Sequence, residues 1–269
     1  MGKRAARVMD VMAAVERIAP AALAAEWDNV GLQVGRRRDP VRRVMTCLEL
    51  TPPTLSEARR LKADVIVAHH PLLFKPLEAL ELDSPSGLLV AGLVRSGMAL
   101  IAAHTNLDAA AWSTNHALAE RLALEVERPL FPPASGEVGG LGLVARPRRP
   151  VRFATFIEHV RKSLNLRFVR VSGPERDRVE RLALCTGAGG SLLGAAAGQA
   201  EIFLTGEIKY HEAIEAHARG LTVIEVGHFE SEVLIARPLA ERLARDPVLA
   251  AAGVRCHAAG EDLQPFRYA

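Results

Sequence analysis

Apolar runs of strand length alternate with helix-length segments along this chain of 269 residues, and they do so twice in the same order. The first half reads as a helix over 8–18, a short strand near 31–35, then three strand–helix units whose strands lie at 44–48, 65–68 and 99–103. The second half repeats it, with a helix over 153–164, a strand at 167–171, then strands at 182–185, 201–204 and 222–226. Such alternation builds α/β sheets with mostly parallel strands. One plan used twice sets two α/β units, 1–128 and 151–269, joined by the Pro- and Gly-rich connecting segment 129–150. With 49% of its residues hydrophobic, the chain can give both units real cores.

The strand ends carry the chemistry. In parallel α/β sheets, ligands gather just beyond the carboxyl ends of the strands. Here 65–68 leads into His69 and His70, and 99–103 into His104 with Asp108 four residues on. In the second half, 201–204 leads into Thr205, Gly206 and Glu207, and 222–226 into His228 with Glu232 four residues on. Adjacent residues on a continuing strand face opposite ways, which drives one ring of the His69–His70 pair inward. Burying an unpartnered ring costs about 1–3 kcal/mol, so a partner must compensate. Four residues make roughly one helical turn, so each carboxylate returns to the side of its histidine once the chain coils.

Ligand-type side chains at corresponding strand ends point to a metal site shared between the halves. Imidazole and carboxylate without thiolate suit Zn, Mn, Fe or Ni, and such a set can hold two divalent ions. A single histidine at a strand end is more often a hydrogen-bonded structural residue; the joint placement favours metal.

Composition narrows the partners. Net charge is +3, and only five of the 34 basic residues are lysine. Arginines cluster at 36–38, 42–43 and 146–152, but with 4% aromatics and none interleaved they read as solvated loop charge, not a specific nucleic-acid surface. The basic, alanine-rich start is broken by Asp10, Glu16 and Arg17, so it reads as an amphipathic helix rather than a leader. The uncharged run 182–200 holds five glycines, which suits strand, loop and helix rather than a membrane span. Three widely spaced cysteines, Cys47, Cys185 and Cys256, suggest a reduced, cytoplasmic protein. The glycine-rich 185–196 is either a phosphate-binding turn or a tight structural one. Trp27, Asp28 and Asn29 either line a substrate mouth or anchor a loop.

Several stretches together resemble one family: EWDNVGLQVG (26–35), ADVIVAHHPLLF (63–74), IAAHTNLDAA (101–110), LTGEIKYHEAIEA (204–216) and VGHFESE (226–232). They look like the Nif-three-like dinuclear-metal proteins, also known as GTP cyclohydrolase one type two homologues. The resemblance implies two intertwined, duplicated α/β units and a toroidal homohexamer with two divalent transition-metal ions per chain. It carries the ligand roles to His69, His70, Asp108, His228 and Glu232, and sets Glu207 and His104 beside them for proton transfer. Glu49 departs from the family, which usually has Asp there. The function implied is a dinuclear metal-dependent hydrolase acting on a nucleotide or phosphoester, by purine ring opening of GTP. The alternative is a non-catalytic, metal-binding regulatory or interaction protein. The loop PLLFKPLEALEL (71–82) is apolar for a segment leaving such a site, which marks it for burial against the rest of the chain or a neighbouring subunit.

Overall fold

The computed structural model describes residues 5–132 and 138–267, so residues 133–137 of the expected connecting segment lie outside the described residues. The chain divides into two compact units, Met1–Leu107 with Ile235–Ala269, and Asp108–Leu234.

The first unit carries a five-stranded sheet in the order Arg255–Ala258, Arg43–Cys47, Val65–Ala68, Ala99–Ala102, Gly31–Val34. The first four strands run parallel and Gly31–Val34 pairs antiparallel with Ala99–Ala102. All four residues of Val65–Ala68 are sealed from solvent, as expected for a central strand covered on both faces. On one face, Met45, Cys47, Ile66, Ala68 and Leu100 meet Leu55 and Ala58 of helix Pro52–Leu61 and Leu93 of helix Pro85–Ser96. Both helices start at a hydroxyl cap followed by proline: Thr51 accepts the Thr54 N–H and Ser84 accepts the Gly87 N–H. Helix Ala236–Ala244 packs on strands Arg43–Cys47 and Arg255–Ala258, where the buried Thr46 hydroxyl donates to the Ala236 carbonyl at 2.6 Å. Helix Val8–Ile18 buries Val8, Val11 and Val15, and its Arg17 pairs with Asp246 at 2.5 Å.

The second unit carries a six-stranded sheet in the order Arg170–Ser172, Thr222–Glu225, Ile202–Glu207, Leu182–Ala188, Leu141–Pro147, Leu124–Phe131. Its middle three strands are parallel and the outer pairings antiparallel. Period-two alternation divides the side chains between two cores. Leu182, Leu184, Ile202, Leu204 and Ile224 meet Leu118, Phe156 and Val160. Ala183, Phe203 and Val223 meet Leu193, Ala196 and Ala216. Each unit thus has a leading helix, three parallel strands in sequence, and a strand antiparallel to the third.

Two expectations change. Residues 129–150 contribute to a hairpin of Leu124–Phe131 with Leu141–Pro147 instead of a bare connection. Pro129 is tolerated because Leu124–Phe131 is the edge strand, and Arg146 pairs with Glu125 (2.9 Å) and Glu127 (3.5 Å). Residues 235–269 group with the first unit because Arg255–Ala258 extends that sheet. Both sheets are therefore mixed, the second with more antiparallel pairing than a mostly parallel plan. Among the described residues no helix is long and apolar enough to cross a membrane, and the three cysteines are free.

Candidate metal centre

In the first unit the chain leaves the sheet at the end of Val65–Ala68. The ladder runs a little further: the His69 N–H donates to Cys47 O (3.0 Å) and the His70 N–H to Leu48 O (2.8 Å). The chain bends at these two residues, and their ring centroids lie 5.1 Å apart. His104, past the end of Ala99–Ala102, stands 5.3 Å from the His69 ring and 5.7 Å from the His70 ring. One nitrogen from each of the three rings falls within 4.8 Å of the others.

The partners of these rings fix their tautomers. His69 is fully buried and its Nδ1 lies 2.8 Å from the Ala103 carbonyl oxygen. A carbonyl only accepts, so Nδ1 carries the hydrogen and Nε2 the lone pair. His104 Nδ1 lies 3.0 Å from Asp28 Oδ1, and Asp28 Oδ2 accepts the Thr105 N–H (3.0 Å) and the Thr105 hydroxyl. The Asp28 carboxylate is wholly enclosed. Burial works to raise its pKa, but the bonds from Thr105 and His104 outweigh it and leave the pKa lowered. Asp28 is thus ionised and holds the His104 hydrogen on Nδ1. A histidine that donates one nitrogen to a carbonyl or carboxylate and offers the other is the usual arrangement of a metal ligand. His70 has the exposed Glu49 carboxylate 3.8 Å from its Nδ1.

In the second unit, Gly227 (φ +99°) turns the chain into helix His228–Glu232. One turn returns Glu232 to its histidine: Nε2 of His228 is 2.9 Å from Glu232 Oε2, and Nδ1 is 3.2 Å from Glu207 Oε1. Glu232 is nearly sealed, Glu207 open. The Glu232 hydrogen bond raises the His228 pKa to about 9, against desolvation and with help from Glu207. Two carboxylates around one imidazole attract positive charge, a proton or a metal ion that replaces it. Asp108 accepts the Thr114 hydroxyl at 2.6 Å. Burial pushes the Cys185 thiol far up, and the charges of Asp108 and Glu232 both add to this.

The glycine-rich 185–196 proves to be a tight structural turn. A Cβ on Gly187 (φ +63°) would lie 2.2 Å from Glu232 Oε1, and one on Gly190 would strike the Glu212 carboxylate. Carboxylates packed against that backbone disfavour phosphate. Trp27, Asp28 and Asn29 separate in role: Trp27 is open, Asp28 orients His104, and Asn29 donates to Leu73 O and so ties a loop. Sequence reasoning missed Thr105 and Thr114 as carboxylate partners. Thr105 follows His104 directly, a signal that was present; nothing in the pattern marks Thr114.

Residues 6–259 match the family model described as Duf34/NIF3 (NGG1p interacting factor 3). A Lactococcus lactis protein named GTP cyclohydrolase 1 type 2 homolog is 31% identical over 265 residues, covering 97% of this chain and 98% of its own. A Helicobacter pylori protein named GTP cyclohydrolase 1 type 2 is 30% identical, covering 88% and 92%. The crystal structure of a Bacillus cereus protein related to NIF3 is similar with a TM-score of 0.91 at 25% identity, covering 99% of this chain and all of that one.

Proposed function

This chain belongs to the Duf34/NIF3 family, and from that membership we propose that it is a metal-dependent hydrolase of nucleotides. The observation that carries the reading is the cluster of three imidazoles at the strand ends, one nitrogen of each within 4.8 Å of the others, with His69 oriented by the Ala103 carbonyl and His104 by Asp28. The proposed ligands of two divalent transition-metal ions (Zn, Mn, Fe or Ni) are His69, His70, Asp108, His228 and Glu232. When bound, such ions supply Lewis acidity that activates water for attack.

The chain's own groups do the rest. Asp28 keeps the His104 hydrogen on Nδ1, so Nε2 can take up a proton during attack and return it to the leaving group. Glu207, exposed beside His228, is the second group able to exchange protons with solvent. On the pattern of the relatives' names, the substrate is GTP: a first water adds at C8 of the purine and the imidazole ring opens by cleavage of the C8–N9 bond to a formamide, and a second water hydrolyses that formamide, releasing formate and leaving the amine. The proposed assembly is a homohexamer, supported by Leu77, Leu80 and Leu82, each nearly half exposed; light scattering at low micromolar concentration tests it, and a stable monomer with full metal content would contradict it.

The functional test is turnover of GTP, other nucleotides and simple phosphoesters by protein of measured metal content. Formate release that rises with metal loading is expected. Full metal with no turnover on any compound would favour the regulatory reading.

A further inference from the structure

Two large aromatic side chains stand in solvent beside the histidines of the first unit, and hydrolysis as described gives them no task. Trp27 is 62% exposed and Phe74 45%. Their ring centroids are 5.7 Å apart and the planes are inclined by 47°. Each ring also meets His104 edge-on, Trp27 at 6.2 Å and Phe74 at 6.5 Å. Two rings packed only on one another would lie closer to parallel or perpendicular and hide more of their surface. These form an open wedge instead, with His104 at its base.

The wedge is held rigidly. Gln33 donates from Nε2 to the Asn29 carbonyl (2.9 Å) and the Leu73 carbonyl (3.3 Å), and its Oε1 accepts the Leu73 N–H at 3.0 Å. Asn29 Nδ2 donates to the same Leu73 carbonyl. The residue before Phe74 is therefore clasped to the loop that carries Trp27, and Leu72 packs on the sheet's core. On the other side Asp28, next to Trp27, is anchored to Thr105. Exposed aromatics on loops fixed in this way lose little freedom when a ligand arrives.

We infer that Trp27 and Phe74 are the ring-binding walls of the site: they stack a planar heteroaromatic ring, of nucleobase type, and hold it against His104. This rests on the hydrolase reading only for what happens to the ring afterwards, because binding needs no turnover. A planar π-face is what such a wedge recognises, and stacking tolerates different bases.

Calorimetric titration of the metal-loaded full chain tests it, with guanosine monophosphate as the ring-bearing probe and ribose 5-phosphate as the same ligand without a ring. In Trp27→Ala and Phe74→Ala, affinity for the nucleotide should fall about tenfold or more while ribose 5-phosphate binds as before. Trp27→Phe should recover most of the loss, since it restores an aromatic face. Both positions are exposed, and Trp27→Leu with Phe74→Leu provide milder non-aromatic variants should either alanine fail to fold. Equal losses for both probes, or no nucleotide binding to the parent, would overturn the inference. So would unchanged affinity with a drop in particle mass, which would make the pair a subunit contact. A chain that binds the ring through this pair but never hydrolyses it would refute the hydrolase reading alone.

Discussion

Replacing Asp28 by asparagine separates the fold from the chemistry at one atom. The carboxylate accepts four hydrogen bonds, at Oδ1 from His104 Nδ1 (3.0 Å) and the Asn29 N–H (2.8 Å), and at Oδ2 from the Thr105 N–H (3.0 Å) and the Thr105 hydroxyl. Asparagine has one acceptor oxygen. Left facing Thr105, it preserves both of those bonds at neutral strength, about 1 kcal/mol weaker each than bonds to a charge. Its NH2 group then faces His104 and the Asn29 N–H and can only donate, so the exposed Asn29 N–H turns to water. The imidazole answers by moving its hydrogen to Nε2, so that Nδ1 accepts. The stability loss expected is about 1–3 kcal/mol, reduced by the lower cost of burying an amide. Loss of the Nε2 lone pair should instead remove most metal-dependent activity. Two measurements check this: urea unfolding, and the 15N spectrum of histidine-labelled, chelator-treated protein, in which the two His104 nitrogens should exchange character. Because the Asp28 pKa is lowered on folding, its contribution holds above about pH 4 and is lost as the pH falls through the folded value. The stability gap between parent and variant should therefore close in acid. An unchanged His104 tautomer in the variant, with full activity, would refute the reasoning.

Gly187→Ala places a Cβ 2.2 Å from Glu232 Oε1 at a φ of +63°. A destabilisation of about 2–4 kcal/mol from strain and the clash is expected in denaturant melts, along with weaker metal retention; a silent substitution would show that Glu232 moves freely. Burial, aided by Glu57 and Glu49 and opposed by the N–H groups of Glu49 and Leu48, raises the Asp262 pKa to about 6. A raised carboxyl stabilises the fold least when ionised, so this contribution is present below about pH 4 and lost as the pH rises through about 6. Asp262→Asn should match the parent near pH 4 and exceed it by about 1–2 kcal/mol at pH 7, after allowance for partial exposure; urea midpoints at the two pH values decide it.

The three parallel strands of each unit were legible because largely apolar runs of four or five residues, recurring between helix-length segments, have few other uses. Val65–Ala68 came out at its expected bounds, and Ala99–Ala102 within one residue. The hairpin Leu124–Phe131 with Leu141–Pro147 was hidden by its prolines and glycines; Pro129 is permitted because Leu124–Phe131 lies at the sheet's edge, a fact of tertiary pairing. The strand Arg255–Ala258 was hidden for a similar reason: RCHA has no strand signal of its own and pairs because Arg43–Cys47 offers an open side. At the site, the His228–Glu232 turn followed from spacing, whereas the clamp of Asp28 on His104 joins residues 76 apart and no local pattern encodes it.

The proposed metal content is two divalent ions per chain, held through imidazoles and carboxylates at the strand ends. Elemental analysis of protein purified without chelator, then reconstituted separately with Mn, Fe and Zn, measures it directly, with His69→Ala and His228→Ala prepared in parallel. Two ions per chain in the parent and fewer in each variant, with circular dichroism unchanged, is the result expected. A parent that retains one ion or none with every metal, or variants that keep the full complement, would contradict it.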